Sequence, residues 1–413
     1  LKQYFINKNS IKIFKNFMIC LAEQCFLNEY IFKVSKYEEN KLLDLEKYLN
    51  KKVDIDEYEI LLISLYKSLN SVKSIQNKIK GLKNLSPNFM NFLKFTFFNC
   101  RKEELLKKQI KSLSKIKNKV SLLMQSQYED NPYPRWRYAD IPDPKDLRSF
   151  LSSILPYNFN HNNKQKNILI AGCGTGQQIV SCSKIENTNI YAIDLSMKSL
   201  SYAKRQINEL NINNVNFYHL DILNLKLLKK KFDLIICSGC LHHMEKPILG
   251  LKELISVLKP NGVMNIGLYS KKARESVKIV RDYISRNNFT FNKENISKVR
   301  DKIIESKNPK LRILTESCDF FSTSCLRDLL FNSMEHTYSL IDVKKEINNL
   351  KLKFLGFDYL TNGYMNLFKK LNPHTNSELD LNLWDRFEKT YPETFIGMYD
   401  FWVSKKVKEL KSS

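Results

Sequence analysis

Three glycines occupy alternate positions in the segment Ile168-Leu-Ile-Ala-Gly-Cys-Gly-Thr-Gly-Gln177. The apolar residues before Gly172 are typical of a short buried strand, and a helix is predicted to start after Gly176. A glycine-rich turn between a strand and a helix lets the backbone approach a ligand closely, and the helix N-terminus favours the negative end of that ligand. The segment therefore predicts a site for a polar or anionic ligand, built from Gly172, Cys173, Gly174, Thr175, Gly176 and Gln177.

The residue at position 177 separates two classes of ligand. The dinucleotide-binding fingerprint is G-x-G-x-x-G, in which the third glycine gives a pyrophosphate a third close approach to the backbone. This chain has Gln177 at that position. S-adenosylmethionine carries no phosphate, and a shorter turn is sufficient for its methionine carboxylate. The turn therefore favours S-adenosylmethionine over a dinucleotide.

Two acidic residues follow the next two predicted strands. Asp194 lies 18 residues beyond Gly176, where a carboxylate can accept hydrogen bonds from both ribose hydroxyl groups, and Leu195 follows it. Asp221 ends the third strand, where it can accept a hydrogen bond from an adenine amino group while Ile222 packs on the ring. Either acid alone is equally consistent with an ordinary loop start. Together with the turn, they predict a nucleoside site at the carboxyl ends of three strands.

Strands and helices alternate from residue 167 to residue 268, which predicts right-handed crossovers and a parallel sheet covered on both faces. The predicted strands are Asn167–Ala171, Ile190–Ile193, Val215–Leu220, Phe232–Cys237 and Val263–Leu268, with two more near Leu352–Tyr359 and Phe395–Val403. The predicted helices are Gln177–Lys184, Lys198–Leu210, Pro247–Leu258 and Leu340–Leu350. The predicted fold class is α/β, with a Rossmann-like sheet of seven strands.

The glycine turn, Asp194, Asp221 and the segment Cys237-Ser-Gly-Cys-Leu-His-His-Met244 resemble class I S-adenosylmethionine-dependent methyltransferases. The resemblance implies S-adenosylmethionine as methyl donor, released as S-adenosylhomocysteine, and adds Cys237 to the cofactor-binding residues. One departure is the absence of the acidic residue that the family has near the start of the turn. Ala171 stands just before Gly172, which leaves one contact to the methionine amino group unaccounted for.

Three flanking segments resemble a bacterial group of these enzymes that tetratricopeptide repeats often precede. They are Tyr128–Trp136, Cys318–Phe331 and Glu393–Trp402. In class I enzymes the segment before the first strand usually closes over the cofactor. We therefore expect Tyr128 and Arg135 to bind the cofactor and Tyr133 to reach the cofactor or the substrate. The alternative is a structural corner stiffened by two prolines.

His242 and His243 follow the fourth predicted strand, where the methyl group would be presented. Either histidine can remove a proton from an attacking oxygen or nitrogen, because an unperturbed imidazole titrates near neutral pH. The alternative is a loop that only shapes the pocket, since methyl transfer can proceed by positioning and desolvation. Cys237, Cys240 and the histidines lack the ligand spacing of a zinc site, so no metal is predicted.

The rest of the chain is predicted to be mostly helical. Apolar residues recur at three- and four-residue steps near the N-terminus, which indicates helices. These helices resemble degenerate helical repeats but lack the tetratricopeptide signature. The predicted regions are 1–126 (helical), 127–160 (lid or linker), 161–270 (nucleotide-binding half), 271–340 (helical insertion) and 341–413 (C-terminal half of the sheet).

The net charge of +24 permits a nucleic-acid partner, but the excess is mostly lysine spread along the chain, so such a partner is not favoured. Nine scattered cysteines and the absence of a long apolar run predict a cytoplasmic protein without a membrane span. The first residue is Leu rather than Met, which suggests a fragment.

Three hypotheses about function remain open. The leading one is methyl transfer to oxygen, nitrogen or carbon of an unidentified small-molecule acceptor. The second makes the acceptor a protein or RNA held by the basic N-terminal helices, which could also recruit a protein partner. The third is a non-catalytic module that binds S-adenosylmethionine. Adenine and glutamine amines are disfavoured as acceptors, because no Asn/Asp-Pro-Pro-Tyr segment follows the fourth strand.

Overall fold

The computed structural model describes residues 14–155, 165–358, 360, 363–395 and 397–406. The chain divides into two compact units. The helical unit comprises the chain up to Leu105 together with Ile279–Phe331, and the α/β unit comprises Leu106–Lys278 together with the chain from Asn332. The helices of the predicted insertion therefore group largely with those of the N-terminal region.

The strands are β1 (Lys111–Ser112), β2 (Lys166–Ala171), β3 (Thr188–Asp194), β4 (Val215–His219), β5 (Phe232–Cys237), β6 (Leu258–Tyr269), β7 (Leu352–Phe357) and β8 (Met398–Lys405). The helices are α1 (Lys15–Leu27), α2 (Lys36–Lys51), α3 (Glu57–Ser64), α4 (Lys73–Gly81), α5 (Pro87–Leu93), α6 (Asn99–Lys107), α7 (Lys119–Asp130), α8 (Leu147–Ser152), α9 (Gln177–Cys182), α10 (Met197–Glu209), α11 (Pro247–Val257), α12 (Glu275–Arg286), α13 (Lys293–Ile304), α14 (Pro309–Arg312), α15 (Thr323–Leu330), α16 (Leu340–Asn349), α17 (Tyr364–Leu371) and α18 (Leu381–Thr390).

The helical unit has a hydrophobic core of its own. The aromatic rings of Phe89, Phe92 and Phe97 are fully buried in it, together with apolar side chains of α1, α3 and α4. Helices α2 and α3 each start with a capping box, in which the side chain of the N-cap residue and a glutamate three residues later satisfy each other's backbone N–H groups. Local capping and three- to four-residue periodicity thus define helices that pack together through their apolar faces.

The α/β unit contains one sheet with the strand order β1-β4-β3-β2-β5-β6-β8-β7. Strands β1 to β6 pair in parallel, whereas β8 is antiparallel to both of its neighbours, β6 and β7. This arrangement confirms the predicted Rossmann-like α/β fold. Because β8 runs against the parallel strands, its first residues lie at the same edge of the sheet as the carboxyl ends of β5 and β6.

The predicted strand count of seven is wrong, because the described residues contain eight strands. The additional strand, β1, consists only of Lys111 and Ser112 and pairs in parallel with Tyr218 and His219 of β4. Both residues of β1 are exposed. An exposed strand of two residues shows neither alternation nor an apolar run, so the sequence carries no pattern that predicts it.

Helices cover both faces of the sheet. On one face α8, α9 and α10 bury apolar residues against β2, β3 and β5. On the other face the apolar residues come from α11, α16 and α18. Every residue of β5 is buried, as expected for a central parallel strand with helices on both sides.

The predicted lid or linker, residues 127–160, starts within a helix. Helix α7 continues to Asp130, and the irregular chain begins only at Asn131. The helix ends there because Pro132 disfavours helical geometry in the residue before it, whereas residues 127–130 are free of that restriction. Residues 156–160 of the predicted lid or linker, Tyr359 at the end of one predicted strand and Ile396 within another lie outside the described residues.

No helix in the described part of the chain has the length and apolar character needed to cross a membrane.

Replacing Trp384 with Ala is expected to destabilise the α/β unit by about 3–5 kcal/mol, because it leaves a large cavity. The indole is fully buried and stacks on Phe368, with ring centroids 3.6 Å apart. Urea unfolding followed by tryptophan fluorescence measures the effect, since Trp136, Trp384 and Trp402 all belong to this unit. The control is Leu371→Ala at an exposed site of α17, expected to change stability by less than about 0.5 kcal/mol. A loss below about 1 kcal/mol for Trp384→Ala would contradict this account of the core.

Candidate cofactor site

The glycine turn joins β2 to α9 through backbone that side chains would obstruct. Gly172, Gly174 and Gly176 have φ angles of 72°, 49° and 96°. A Cβ atom on Gly172 would lie 2.7 Å from Cys240 Sγ, and one on Gly174 would lie 2.9 Å from the Tyr133 carbonyl oxygen. The turn therefore requires glycine both for its conformation and for its space.

Asp194 fixes this turn from the end of β3. Its Oδ2 accepts a hydrogen bond from the Gly174 N–H at 2.9 Å, and its Oδ1 accepts one from the Ser196 N–H at 2.8 Å. Burial raises the pKa of Asp194, while these two hydrogen bonds act to lower it. A carboxylate has about four acceptor positions, so Asp194 retains capacity for the hydroxyl groups of a ribose.

Asp221 lies just beyond β4 and is 3% exposed. Its Oδ1 accepts a hydrogen bond from the Leu223 N–H at 2.9 Å and so caps the 3₁₀ helix Ile222–Leu228. The Ile222 side chain is buried. The Leu195 carbonyl oxygen, next to Asp194, lies 2.8 Å from His219 Nε2 at the end of β4. The two predicted acids are thus held at neighbouring strand ends by local backbone contacts.

Cys237 and Cys240 are in contact beneath the glycine turn, with their Sγ atoms 3.3 Å apart. Cys240 Sγ also lies 3.4 Å from the Ala171 carbonyl oxygen. The hydrogen bond with Cys240, together with burial, raises the pKa of Cys237 well above its ordinary value. The Cys237 thiol therefore packs as a neutral group where β5 meets the turn.

The segment before β2 is hydrogen-bonded to the turn. The Thr175 hydroxyl donates to the Pro134 carbonyl, and the Trp136 indole N–H donates to the Thr175 carbonyl at 2.9 Å. Nearby, the Ser196 hydroxyl donates to the Tyr128 carbonyl at 3.0 Å. The Arg135 guanidinium lies 6.0 Å from the ring of Tyr202. These contacts hold the predicted lid residues beside the glycine turn.

The two histidines that follow β5 are buried rather than exposed at a pocket lip. His242 has no exposed surface and stacks on Tyr269, with ring centroids 3.6 Å apart. His243 is 4% exposed, and its Nδ1 donates to the Met334 carbonyl at 2.7 Å. Burial lowers the pKa of His242 well below its ordinary value, and the nearby His243 and Arg274 act in the same direction. His242 is therefore neutral near pH 7.

A polar cluster at the same edge of the sheet was missed by sequence reasoning. Ser238 Oγ donates to Asp400 Oδ1 at 2.8 Å, and Gln178 Nε2 donates to the Ser238 carbonyl at 3.4 Å. Burial raises the pKa of Asp400 to about 6. The available signal is the acid Asp400 within the apolar run Met398-Tyr-Asp-Phe-Trp402.

The residues at this edge fit the donor that the sequence predicts. At Gly172 and Gly174 the backbone of the turn is partly exposed, just before the start of α9. Asp194 and Asp221 provide carboxylates at two neighbouring strand ends. A nucleoside with an amino-acid tail needs these groups: hydroxyl acceptors, an acceptor for a ring amine, and backbone N–H groups for a carboxylate.

Replacing Gly172 with Ala is expected to weaken binding of S-adenosylhomocysteine at least about tenfold, because the new Cβ atom displaces Cys240 or the turn. The matched control is Gly363→Ala, which also has positive φ (86°) but open space around it. Both variants should lose roughly 1 kcal/mol of stability through backbone strain. Calorimetric titration measures affinity and thermal unfolding measures stability. Equal affinities for the two variants would contradict the tight-turn account.

Residues 162–353 match the family described as "Methyltransferase domain". An uncharacterised protein of Synechococcus sp. is 29% identical over 206 residues, which are 46% of this chain and 48% of that protein. A tRNA U34 carboxymethyltransferase of Campylobacter fetus is 34% identical over 102 residues, covering 24% of this chain and 36% of that protein. The chain thus spans about half of the first of these curated relatives and about a third of the second.

Among solved structures, PKMT2 from Rickettsia typhi is 18% identical with a TM-score of 0.49, over 66% of this chain and 54% of that one. The family match and the local geometry agree on the same part of the sequence. The turn, both acids and the strands that carry them all lie between residues 162 and 353. Residues 162–353 therefore contain a class I S-adenosylmethionine-dependent methyltransferase domain, with S-adenosylmethionine as its methyl donor.

Proposed function

We propose that the protein transfers a methyl group from S-adenosylmethionine to an oxygen, nitrogen or carbon atom of a small-molecule acceptor. The observation that supports this most directly is the convergence of the glycine turn, Asp194 and Asp221 at one edge of the sheet. At the same edge the buried Cys237 thiol contacts the half-buried Cys240 thiol.

When bound, S-adenosylmethionine supplies a methyl group on a positively charged sulfur that is open to in-line attack. The residues of this chain would bind and orient it: Asp194 through the ribose hydroxyl groups, and Asp221 with Ile222 around the adenine. Tyr128, Tyr133 and Arg135 would cover the site and exclude water, an assignment supported by the hydrogen bonds between their segment and the turn. Positioning and exclusion of water are major contributions to such a displacement.

His242 and His243 remain proposed residues for proton transfer. The depressed pKa of His242 keeps its imidazole neutral, which is the form that can accept a proton. Its complete burial and its stacking on Tyr269 also suit a wall of the acceptor pocket. The turnover rate and the cofactor affinity of His242→Ala test these roles. A reduced turnover rate with unchanged cofactor affinity would support a role in proton transfer or in shaping the acceptor pocket and would exclude a role in donor binding.

A macromolecular acceptor is the rival proposal. It is supported by a separate helical unit with its own core and by the net charge of +24. The resemblance to a bacterial group preceded by tetratricopeptide repeats also favours a partner that the helices recruit. The matched tRNA enzyme shares only about a quarter of this chain, so its acceptor is one candidate among several.

The acceptor class can be tested with isotope-labelled S-adenosylmethionine and fractionated cell extract. We expect label in the small-molecule fraction. Label in protein or RNA would overturn the small-molecule acceptor and support the rival. Bound donor without label in any fraction would support the third hypothesis, a binding module.

Replacing Asp194 with Asn is expected to weaken binding of S-adenosylhomocysteine by about 30-fold or more, because two charge-assisted hydrogen bonds to hydroxyl groups are weakened. Calorimetric titration measures the affinity. The control is Asp143→Asn, which removes an exposed acid and should leave affinity unchanged. Because Asp194 also binds the Gly174 N–H, a thermal melt must show that the variant remains folded. Unchanged affinity in a folded variant would contradict the assigned role.

A further inference from the structure

Five polar residues form a cluster on the side of the sheet that faces α9. We call Gln178, Ser238, Asn265, Asp358 and Asp400 the Asp400 cluster. Ser238 Oγ donates to Asp400 Oδ1 at 2.8 Å, and Asn265 Nδ2 lies 3.4 Å from Asp358 Oδ2. The Asp358 N–H donates to the Asp400 carbonyl at 2.9 Å, which holds the two acids side by side. The cluster is continuous from β5 to β7.

The cluster borders the glycine turn. Gln178 is the second residue of α9, and its Nε2 reaches the Ser238 carbonyl at 3.4 Å. Asp400 pairs with Gly267 of β6, where a Cβ atom would lie 2.9 Å from Asp400 Oδ1. The glycine at position 267 therefore leaves room for the carboxylate to approach Ser238. Two contacts, through Ser238 and Gln178, connect Asp400 to the start of α9.

The cluster has hydrogen-bond acceptors and negative charge in excess. Among the described residues, the only side chain that donates to the Asp400 carboxylate is the neutral Ser238, and no cation pairs with it. The Gln178 Oε1 atom is buried and makes no hydrogen bond within the described part of the chain. A half-buried carboxylate without a cation and a buried amide oxygen without a donor both cost free energy. A ligand that carries an ammonium group would satisfy both.

The amino-acid end of S-adenosylmethionine carries such a group. Its carboxylate suits the N-terminus of α9, whereas its ammonium needs acceptors nearby. Strand β2 ends in Ile170 and Ala171, so it offers no negative charge next to the turn. Asp194 and Asp221 lie on the other side of the turn, at the ends of β3 and β4. On the β5 side, the Asp400 cluster supplies negative charge through Asp400 and Asp358.

We propose that Asp400, assisted by Gln178, binds the α-ammonium group of the donor's methionine moiety. The inference rests on the proposed function, because it takes S-adenosylmethionine as the ligand of the turn. It assigns a carboxylate on the antiparallel strand β8 to the contact for which β2 has no acid. Asn265, at 3% exposure, and Asp358 support this carboxylate from β6 and β7.

The test compares two ligands that differ at the amino-acid end. S-adenosylhomocysteine carries the ammonium group, and 5′-methylthioadenosine lacks the whole amino-acid end. Calorimetric titration of the full chain measures the affinity for each ligand. We expect Asp400→Asn to lower the affinity for S-adenosylhomocysteine by roughly 10- to 100-fold and to change the affinity for 5′-methylthioadenosine by less than about twofold. Gln178→Met should also lower the affinity for S-adenosylhomocysteine, but by a smaller factor. This variant replaces Asp400→Asn in the test if Asp400→Asn does not fold.

The matched control is Glu388→Gln on the other face of the sheet. Glu388 is also a buried acid with a raised pKa caused by burial, and it accepts hydrogen bonds from Tyr399 and Ser270. Its variant should leave the affinities for both ligands unchanged. If folded Asp400→Asn loses affinity for both ligands by the same factor, the proposed ammonium contact is overturned. Unchanged binding of both with reduced turnover would overturn it too, and would place Asp400 beside the acceptor. Failure of the wild-type chain to bind either ligand would instead refute the proposed donor.

The affinity ratio of the two ligands should also depend on pH. Burial raises the pKa of Asp400 to about 6; the hydrogen bond from Ser238 opposes this shift and the neighbouring Asp358 adds to it. The other neighbours, Gln178, Asn265 and Gly267, carry no charge. Protonation below pH 6 removes the charge that attracts an ammonium, so the preference for S-adenosylhomocysteine should fall between pH 7 and pH 5. The ratio should stay constant in Asp400→Asn. A wild-type ratio that is independent of pH would contradict the proposal.

Discussion

The hydrogen bond from the Gly174 N–H to Asp194 Oδ2 joins the two features on which the candidate site depends. It ties the turn after β2 to the end of β3, and the turn itself has positive φ angles at Gly172, Gly174 and Gly176. Cys240 on one side and the Tyr133 carbonyl on the other leave no room for a Cβ atom. The ligand surface is therefore backbone and carboxylate, held in place by packing from the segments around it.

Those surrounding segments come from distant parts of the chain. The Tyr133–Pro134 region contacts the turn from before β2, and Ser238 and Cys240 contact it from after β5. Asp400 reaches the same edge from β8, because that strand is inserted antiparallel between β6 and β7. The parallel strands supply Asp194 and Asp221, the two acids proposed to bind the nucleoside, and the antiparallel strand supplies Asp400, a half-buried carboxylate. We therefore propose that the nucleoside and the amino-acid end of one donor molecule bind to different parts of the sheet.

Much of the sheet, and the position of the candidate nucleoside-binding residues at its strand ends, could be predicted because the signals are local. Glycines at alternate positions indicate a tight turn, and acids directly after apolar strands indicate residues at a strand end. The two-residue strand β1 could not be predicted, since exposed Lys111 and Ser112 form no pattern. The contact between Asp400 and Ser238 joins residues 162 positions apart and depends on strand order. The burial of His242 likewise depends on Tyr269, at the end of β6.

The central claim is that the turn binds a sulfonium-derived nucleoside rather than a dinucleotide. Gln177 in place of a third glycine is the feature that distinguishes these ligands in the sequence. The most direct test is calorimetric titration of the purified full chain with S-adenosylhomocysteine and, separately, with NAD. The account predicts saturable binding of S-adenosylhomocysteine, competition by S-adenosylmethionine, and no binding of NAD. Binding of NAD without binding of S-adenosylhomocysteine would contradict it.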